Sequence, residues 1–404
     1  MSSYGVTLSH RNGDDVSKNT LRETLERAEA PATESRSKPN SPGDVSKRSW
    51  MYVFKRALAE FTQDGCTDLA ASLTYFTVLS VFPGLLAVVS LLGVFGQGEQ
   101  TTKAITDFLS GRVPAELNTL LEPTISNLAS SSGAGLAALI IGVASGLWTA
   151  SGYVGAFSRA MNRVYDISEG RGFVKHKATM LGVTLFVVIT VVLVFLMVLL
   201  SGGIARSVGD LIGLGETSVM VWNIAKWPVI LLLLVLLVAV LYYFTPNVQQ
   251  PKFKWVSPGA LFAIVGAIVA GAAFSVYATQ FASQTSTYGV IGGVILGLLG
   301  IWIFNNVLLL GAEIDAEIQR GRELEAGIPS EEMLHLPPRD VKTVTKALTK
   351  HEKLVEEGRK VRLANETVDY RSQGKDGGSE GRAEVANFDG DAKQVLERER
   401  TRTR

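Results

Sequence analysis

The residues of this chain that are equipped for chemistry fall into three short groups and one isolated amide. Asp64, Asp68, Ser72 and Tyr75 recur along one stripe at helical spacing. Ser158, Arg159, Asn162, Arg163, Tyr165 and Asp166 form a second group. Asn247 stands apart, and Asn305, Asn306, Glu313 and Asp315 form the last. Carboxylates, guanidiniums and amides set close to apolar runs are costly there, and they face either an interior or a wet cavity. Two readings stay open: a polar cavity in which Asp68 or Glu313 pairs with Arg159 or Arg163, and an interfacial cluster of ion pairs that anchors helix ends.

Several chemistries are excluded by what the chain lacks. Its histidines, His10, His176, His335 and His351, are scattered, so no His and Asp cluster is spaced to hold two catalytic metals. Cys66 is the single cysteine, which rules out an intrachain disulfide and a cysteine-rich metal site. No Walker loop is present, and His176 sits in a basic stretch rather than beside a nucleophile. The glycine-rich run 289–300 falls inside an apolar segment, where it reads as helix packing and not as a dinucleotide fingerprint. No catalytic residue, cofactor, metal or nucleic-acid partner is expected, and the chain is not expected to be an enzyme.

The elements that must carry these groups are membrane helices. Of 404 residues 47% are hydrophobic and the net charge is +1. The apolar residues concentrate between about 69 and 312, and most of the charges lie outside that range. Six runs, at about 69–95, 134–156, 178–204, 220–244, 256–279 and 288–312, are each long enough for a hydrocarbon core of about 30 Å. Within lipid the backbone must satisfy itself, and a run such as VITVVLVFLMVLL (188–200) does not alternate as a barrel strand would. The expected fold is therefore all-α: a polytopic six-transmembrane-helix bundle. Lys and Arg set its orientation. Lys47, Arg48, Lys55 and Arg56 precede the first run, Arg159 to Lys177 follow the second, Lys252 and Lys254 follow the fourth, and Arg320 and Arg322 follow the sixth. The intervening connections are poor in both, which places both termini in the cytoplasm.

Three regions are expected: a disordered tail at 1–47, a membrane domain at 48–320, and a charged tail at 321–404, helical over about 340–364 and then disordered. Trp50, Val53, Phe54, Ala57, Leu58 and Phe61 predict an amphipathic helix over 50–64, lying on the membrane surface or on the underside of the bundle. The long outer connection 97–132 is expected to hold short amphipathic helices after Pro114. Small residues four apart (Ala138, Gly142, Gly146 and Ala150; Gly259, Ala263, Ala267 and Gly271; Gly289, Gly293 and Gly297) predict that the second, fifth and sixth spans pack tightly and that the third and fourth face more lipid. Pro83 and Gly84 predict a kink in the first span, static or hinged. Membrane lipids are the expected partners, with a homo-oligomer and protein partners of the tails left open.

Several strings, in order, resemble the YihY/BrkB family of bacterial inner-membrane proteins: AASLTYFTVLSVFPG (70–84), GLWTASGY (146–153), AMNRVYD (160–166), YFTPNV (243–248), PGA (258–260), STYGVIGGVI (286–295) and LLLGAEIDA (308–316). The resemblance covers about residues 50–320 and implies six spans in a bacterial plasma membrane. It implies no established activity; its members carry the labels ribonuclease BN and virulence factor. Together the polar groups and these motifs single out Asp68, Ser72, Tyr75, Pro83, Trp148, Arg159, Asn162, Tyr165, Pro246, Asn247, Pro258, Gly259, Tyr288, Gly289, Gly292, Gly311 and Glu313. A transporter-like or lipid- and solute-handling bundle is the expected function, with a membrane scaffold for envelope partners as the alternative.

Overall fold

The structure is a computed structural model that describes residues 13–29, 47–94, 135–200, 216–250, 257–282 and 289–373. Nine helices occur among the described residues. They are α1 (Gly13–Glu29), α2 (Lys47–Gln63), α3 (Cys66–Val94), α4 (Gly135–Val164), α5 (Phe173–Leu199), α6 (Glu216–Phe244), α7 (Pro258–Ala282), α8 (Gly289–Glu325) and α9 (Lys342–Gln373). No strand is found among these residues, where Val248 and Pro338 make one isolated bridge. Among the described residues four stretches are long and apolar enough to cross a membrane: Phe173–Val198, Thr217–Phe244, Pro258–Gln280 and Ile291–Glu325. Helix is the form that lets such segments satisfy every backbone amide without water. Tyr288 and the connection 97–132 lie outside the described residues.

The spanning helices bury little of themselves. Within their most apolar stretches 17% of α5, 28% of α6, 22% of α7 and 17% of α8 is buried. Leu185, Ile189, Leu232, Val265, Ile268 and Ile295 point outward, as lipid-facing side chains do. Burial therefore does not separate the third and fourth spans from the fifth and sixth, although α7 and α8 contact each other far more extensively than α5 and α6. The glycines of α7 and α8 engage unevenly: a Cβ on Gly266 would press on Val307, and one on Gly300 would press on Phe274. A Cβ on Gly259 would collide with the carbonyl oxygen of Gly311, so α7 and α8 touch backbone to backbone there, whereas nothing lies within 4 Å of such an atom on Gly271 or Gly297. Next to this crossing the Tyr242 hydroxyl donates to the Leu308 carbonyl, tying in α6.

The same end holds the core. Leu73 of α3, Phe157 and Met161 of α4, Leu241 of α6, Ala260 and Ala263 of α7, and Leu308 and Leu309 of α8 form one buried cluster. The most extensive helix contacts are α3 with α4 and α7 with α8. Helix α2 packs on the far half of α8, where Val53 and Ala57 meet Ile314 and Ile318. The opposite side of α2 leaves Met51, Phe54 and Leu58 exposed. The underside packing is thus present, and an apolar outer face remains. Gly65, at φ +66, breaks the chain between α2 and α3.

Part of the N-terminal tail departs from expectation. Residues 1–47 read as disordered, but Gly13–Glu29 forms α1 and buries Thr24 and Arg27. The sequence shows no apolar stripe there because the docking contacts are polar. The first compact unit runs to Val344, beyond the boundary set at 320, since Ser330, Leu334 and Leu336 are buried. The second unit, Thr345–Arg404, contains most of α9, an exposed charged helix.

Candidate functional site

The polar groups assemble at the end of the bundle where α4 and α6 stop. Helix α4 ends in a Schellman motif: Ile167 N–H bonds Asn162 O at 2.9 Å and Asp166 N–H bonds Arg163 O at 2.9 Å. Asp166 takes the left-handed conformation at φ +47, a place usually given to glycine but open to a short polar residue. This turn aims Asn162 at the next connection. Its side-chain oxygen accepts the backbone N–H of Asn247 at 2.7 Å, and its amide donates to Glu169 at 3.1 Å. Asn247 in turn donates to the carbonyls of Ser168 and Asp340, each at 2.9 Å. Pro246 is buried beside it.

Arg171 closes this platform. It grips Glu169 with Nε at 2.8 Å and Nη2 at 2.7 Å, and it donates to the carbonyls of Thr245 at 2.7 Å and Phe244 at 3.2 Å. A guanidinium on the last carbonyls of α6 satisfies acceptors that the helix leaves unpaired, and it complements the negative end of the dipole. Burial works against the charge on Glu169, yet the Arg171 and His176 contacts outweigh it and hold its carboxyl down at about 2. Gly170 permits the closeness, since a Cβ there would strike the Asp340 carbonyl.

A second, acidic group lies toward α2 and α8. Asp64 meets Arg163 at 3.5 Å, and the Cys66 thiol lies 3.3 Å from Glu313. Glu317 bonds Arg320 at 2.9 Å and Arg56 at 3.4 Å. Glu323, fully buried, accepts from the Ser330 hydroxyl at 2.8 Å and the His335 backbone N–H at 3.0 Å. Burial pushes the Asp64 carboxyl up to about 7; Asp166 adds to this and Arg163 opposes it. Asp166 also shifts upward, chiefly through burial. Higher along the helices, Asn305 joins three elements: it accepts from Tyr153 at 3.1 Å and donates to Thr74 at 3.3 Å.

The sequence-singled residues divide accordingly. Asn162, Tyr165, Asn247, Gly259, Gly311 and Glu313 are buried at this end, and Gly292 is buried in α8. Pro258 opens α7, where Asp315 accepts the Gly259 N–H at 2.7 Å. Asp68, Ser72, Tyr75 and Arg159 are exposed, and Trp148 is 69% exposed with Lys177 lying 4.9 Å over its ring. Pro83 falls within α3 and Gly289 begins α8. The partner of Arg163 is thus Asp64 and not Asp68 or Glu313, because the break at Gly65 turns Asp64 back toward the end of α4. The residues passed over, Arg171, Glu169, Glu317, Glu323 and Ser330, lie in charged stretches. One signal was available: Glu313, Glu317, Arg320 and Glu323 recur at three and four, which sets them on one face of a continued α8. Among the described residues no group of three His, Cys, Asp or Glu stands close enough to hold a metal ion.

Long apolar helices around a core of this kind define a multi-pass membrane protein. The profile of the virulence factor BrkB family matches residues 57–333, and the chain belongs to that family. It is 29% identical over 274 residues to the ribonuclease-like protein YfkH of Bacillus subtilis, covering 68% of this chain and 98% of that one. It is 25% identical over 272 residues to a UPF0761 membrane protein of Nitrosospira multiformis, covering 66% of this chain and 60% of its relative. A UPF0761 membrane protein of Pseudoalteromonas translucida is 26% identical over 277 residues, 84% of its length. No solved structure matches the chain.

Proposed function

We propose that this protein is a six-span bundle of the bacterial plasma membrane, with both termini inside, that handles a polar solute or a lipid at the cytoplasmic end of its helices. In this reading α3 and α4, 29 and 30 residues long, are the first two spans and complete the set with α5 to α8. The membrane domain extends from about residue 48 into the strap that ends near Val344. The observation that carries the proposal is the group of buried polar side chains at one end: Asn162, Asn247, Arg171 and Glu313 are each at least nine-tenths buried. Polar groups so placed are expensive, and they mark substrate or ion pathways when they occur between membrane helices. The ribonuclease-like name of YfkH describes that relative, and no acidic or histidine constellation among the described residues gives such chemistry a place.

The test is a ligand screen by thermal shift on the purified protein, covering lipids, osmolytes and metabolites, repeated with Glu313→Gln and Asp64→Asn. Binding to the folded state raises apparent stability by mass action. A compound whose shift is lost in either variant would support the reading. A screen with no shift in the parent protein would count against it. A scaffold is the second reading, favoured by the exposed, charged α9. Removing residues 345–404 would disable a scaffold and spare a transporter.

A further inference from the structure

The N-terminal helix touches the rest of the protein through two side chains that a polar helix would ordinarily leave in water. Thr24 and Arg27 are 0% and 2% exposed, while Arg22, Glu26 and Ala28 around them are exposed. The Thr24 hydroxyl accepts the Ser168 backbone N–H at 3.0 Å, and Arg27 Nη1 donates to the Tyr165 carbonyl at 2.9 Å. Both contacts fall on the turn after α4, whose left-handed residue is Asp166.

Behind that turn carboxyl groups outnumber guanidiniums. Glu60, Asp64, Asp166, Glu313 and Glu317 influence one another through α2, the end of α4 and α8, and Glu323 acts on Arg27. Three guanidiniums of the membrane domain face them. Arg56 and Arg320 are spent on Glu60 and Glu317, and Arg163 on Asp64. Among the described residues no Lys or Arg nitrogen lies within ion-pair distance of Asp166. Arg27 is the cation that acts on Asp166 most strongly, from beyond ion-pair distance, with its own helix neighbour Glu23 and Glu323 also acting on it and Arg320 opposing. Yet it fits poorly: Nε and Nη2, the edge that grips a carboxylate in two-pronged fashion, have no hydrogen-bond partner although buried. A guanidinium free to rotate would bond better than this tethered one. The carboxylates do not converge as metal ligands, so the site suits an organic cation.

We propose that the turn Tyr165–Ser168 and the acidic cluster behind it form a binding site for a guanidinium-bearing ligand, and that α1 plugs this site in cis through Arg27, with Thr24 as second anchor. Residues 30–46 separate α1 from α2, enough chain to reach on the order of 50 Å when extended, so α1 has room to leave. The site stands whether or not the bundle transports anything.

Agmatine serves as the probe, titrated by calorimetry into the full chain at constant ionic strength. The parent protein, plugged by its own Arg27, binds it weakly. Arg27→Ala binds at least about tenfold tighter, Thr24→Val gains in the same direction because it loosens α1 without touching the cluster, and adding Asp166→Asn to Arg27→Ala abolishes the gain. Agmatine also raises the melting temperature of Arg27→Ala more than that of the parent. If Arg27→Ala does not fold, Thr24→Val carries the same comparison. Equal binding by parent and plug variants, or a gain that survives Asp166→Asn, overturns the proposal.

Discussion

Asn162 and Asn247, 85 residues apart in sequence, share a buried hydrogen bond of 2.7 Å from the backbone N–H of Asn247 to the side-chain oxygen of Asn162. It joins the end of α4 to the turn after α6. Replacing Asn162 with Leu leaves that N–H buried and unsatisfied, which costs about 1–3 kcal/mol. Chemical or thermal unfolding in detergent is expected to show the loss. A variant as stable as the parent would show that the bond contributes nothing.

The crossing of α7 and α8 gives a sharper contrast. Gly259→Ala places a methyl group against the Gly311 carbonyl and is expected to cost about 1–3 kcal/mol as an overpacked contact. Gly271→Ala and Gly297→Ala meet nothing within 4 Å and should not lower stability, since alanine favours helix over glycine. Melting temperatures of the three variants check this, and equal effects at all three sites would contradict the backbone contact at Gly259.

Stability should also depend on pH through Asp64. Folding raises its carboxyl from an ordinary 3.8 to about 7, so the associated stability is full below about pH 3.8 and is lost as the pH climbs through about 7. Asp166 moves in the same direction. Glu169 is the reverse case: held at about 2 against an ordinary 4.5, it contributes above 4.5 and fails as the pH falls toward 2. Asp64→Asn is therefore expected to flatten the decline in melting temperature between about pH 4 and 7. An unchanged profile would show that Asp64 plays no part in it.

How much of this could be read from the residues differs by element. Apolar length announced α5 to α8, because lipid demands helices of a set span. Asn162, Asn247 and Glu313 stood out as polar groups in or beside apolar runs, and all three are buried together. The charged half of α8 did not stand out, because Glu317, Arg320 and Glu323 look like solvent-facing residues until Arg56, Ser330 and His335 are folded against them. Nor did α1, whose two anchors bond to backbone groups more than 130 residues away. The glycine stripes were a partial guide: α7 and α8 do pack closely, at Gly259, Gly266, Gly300 and Gly311, but Gly271 and Gly297 face open space.

A site that serves the cytoplasm requires the polar end of the bundle to face it. Single cysteines placed in a Cys66→Ser background and treated with a membrane-impermeant maleimide on intact cells answer that directly. Glu99→Cys and Asp210→Cys are expected to label in intact cells, and Glu331→Cys, beside the buried strap, only after the cells are opened. Labelling of Glu331→Cys in intact cells would place the polar cluster outside and contradict a site that serves the cytoplasm.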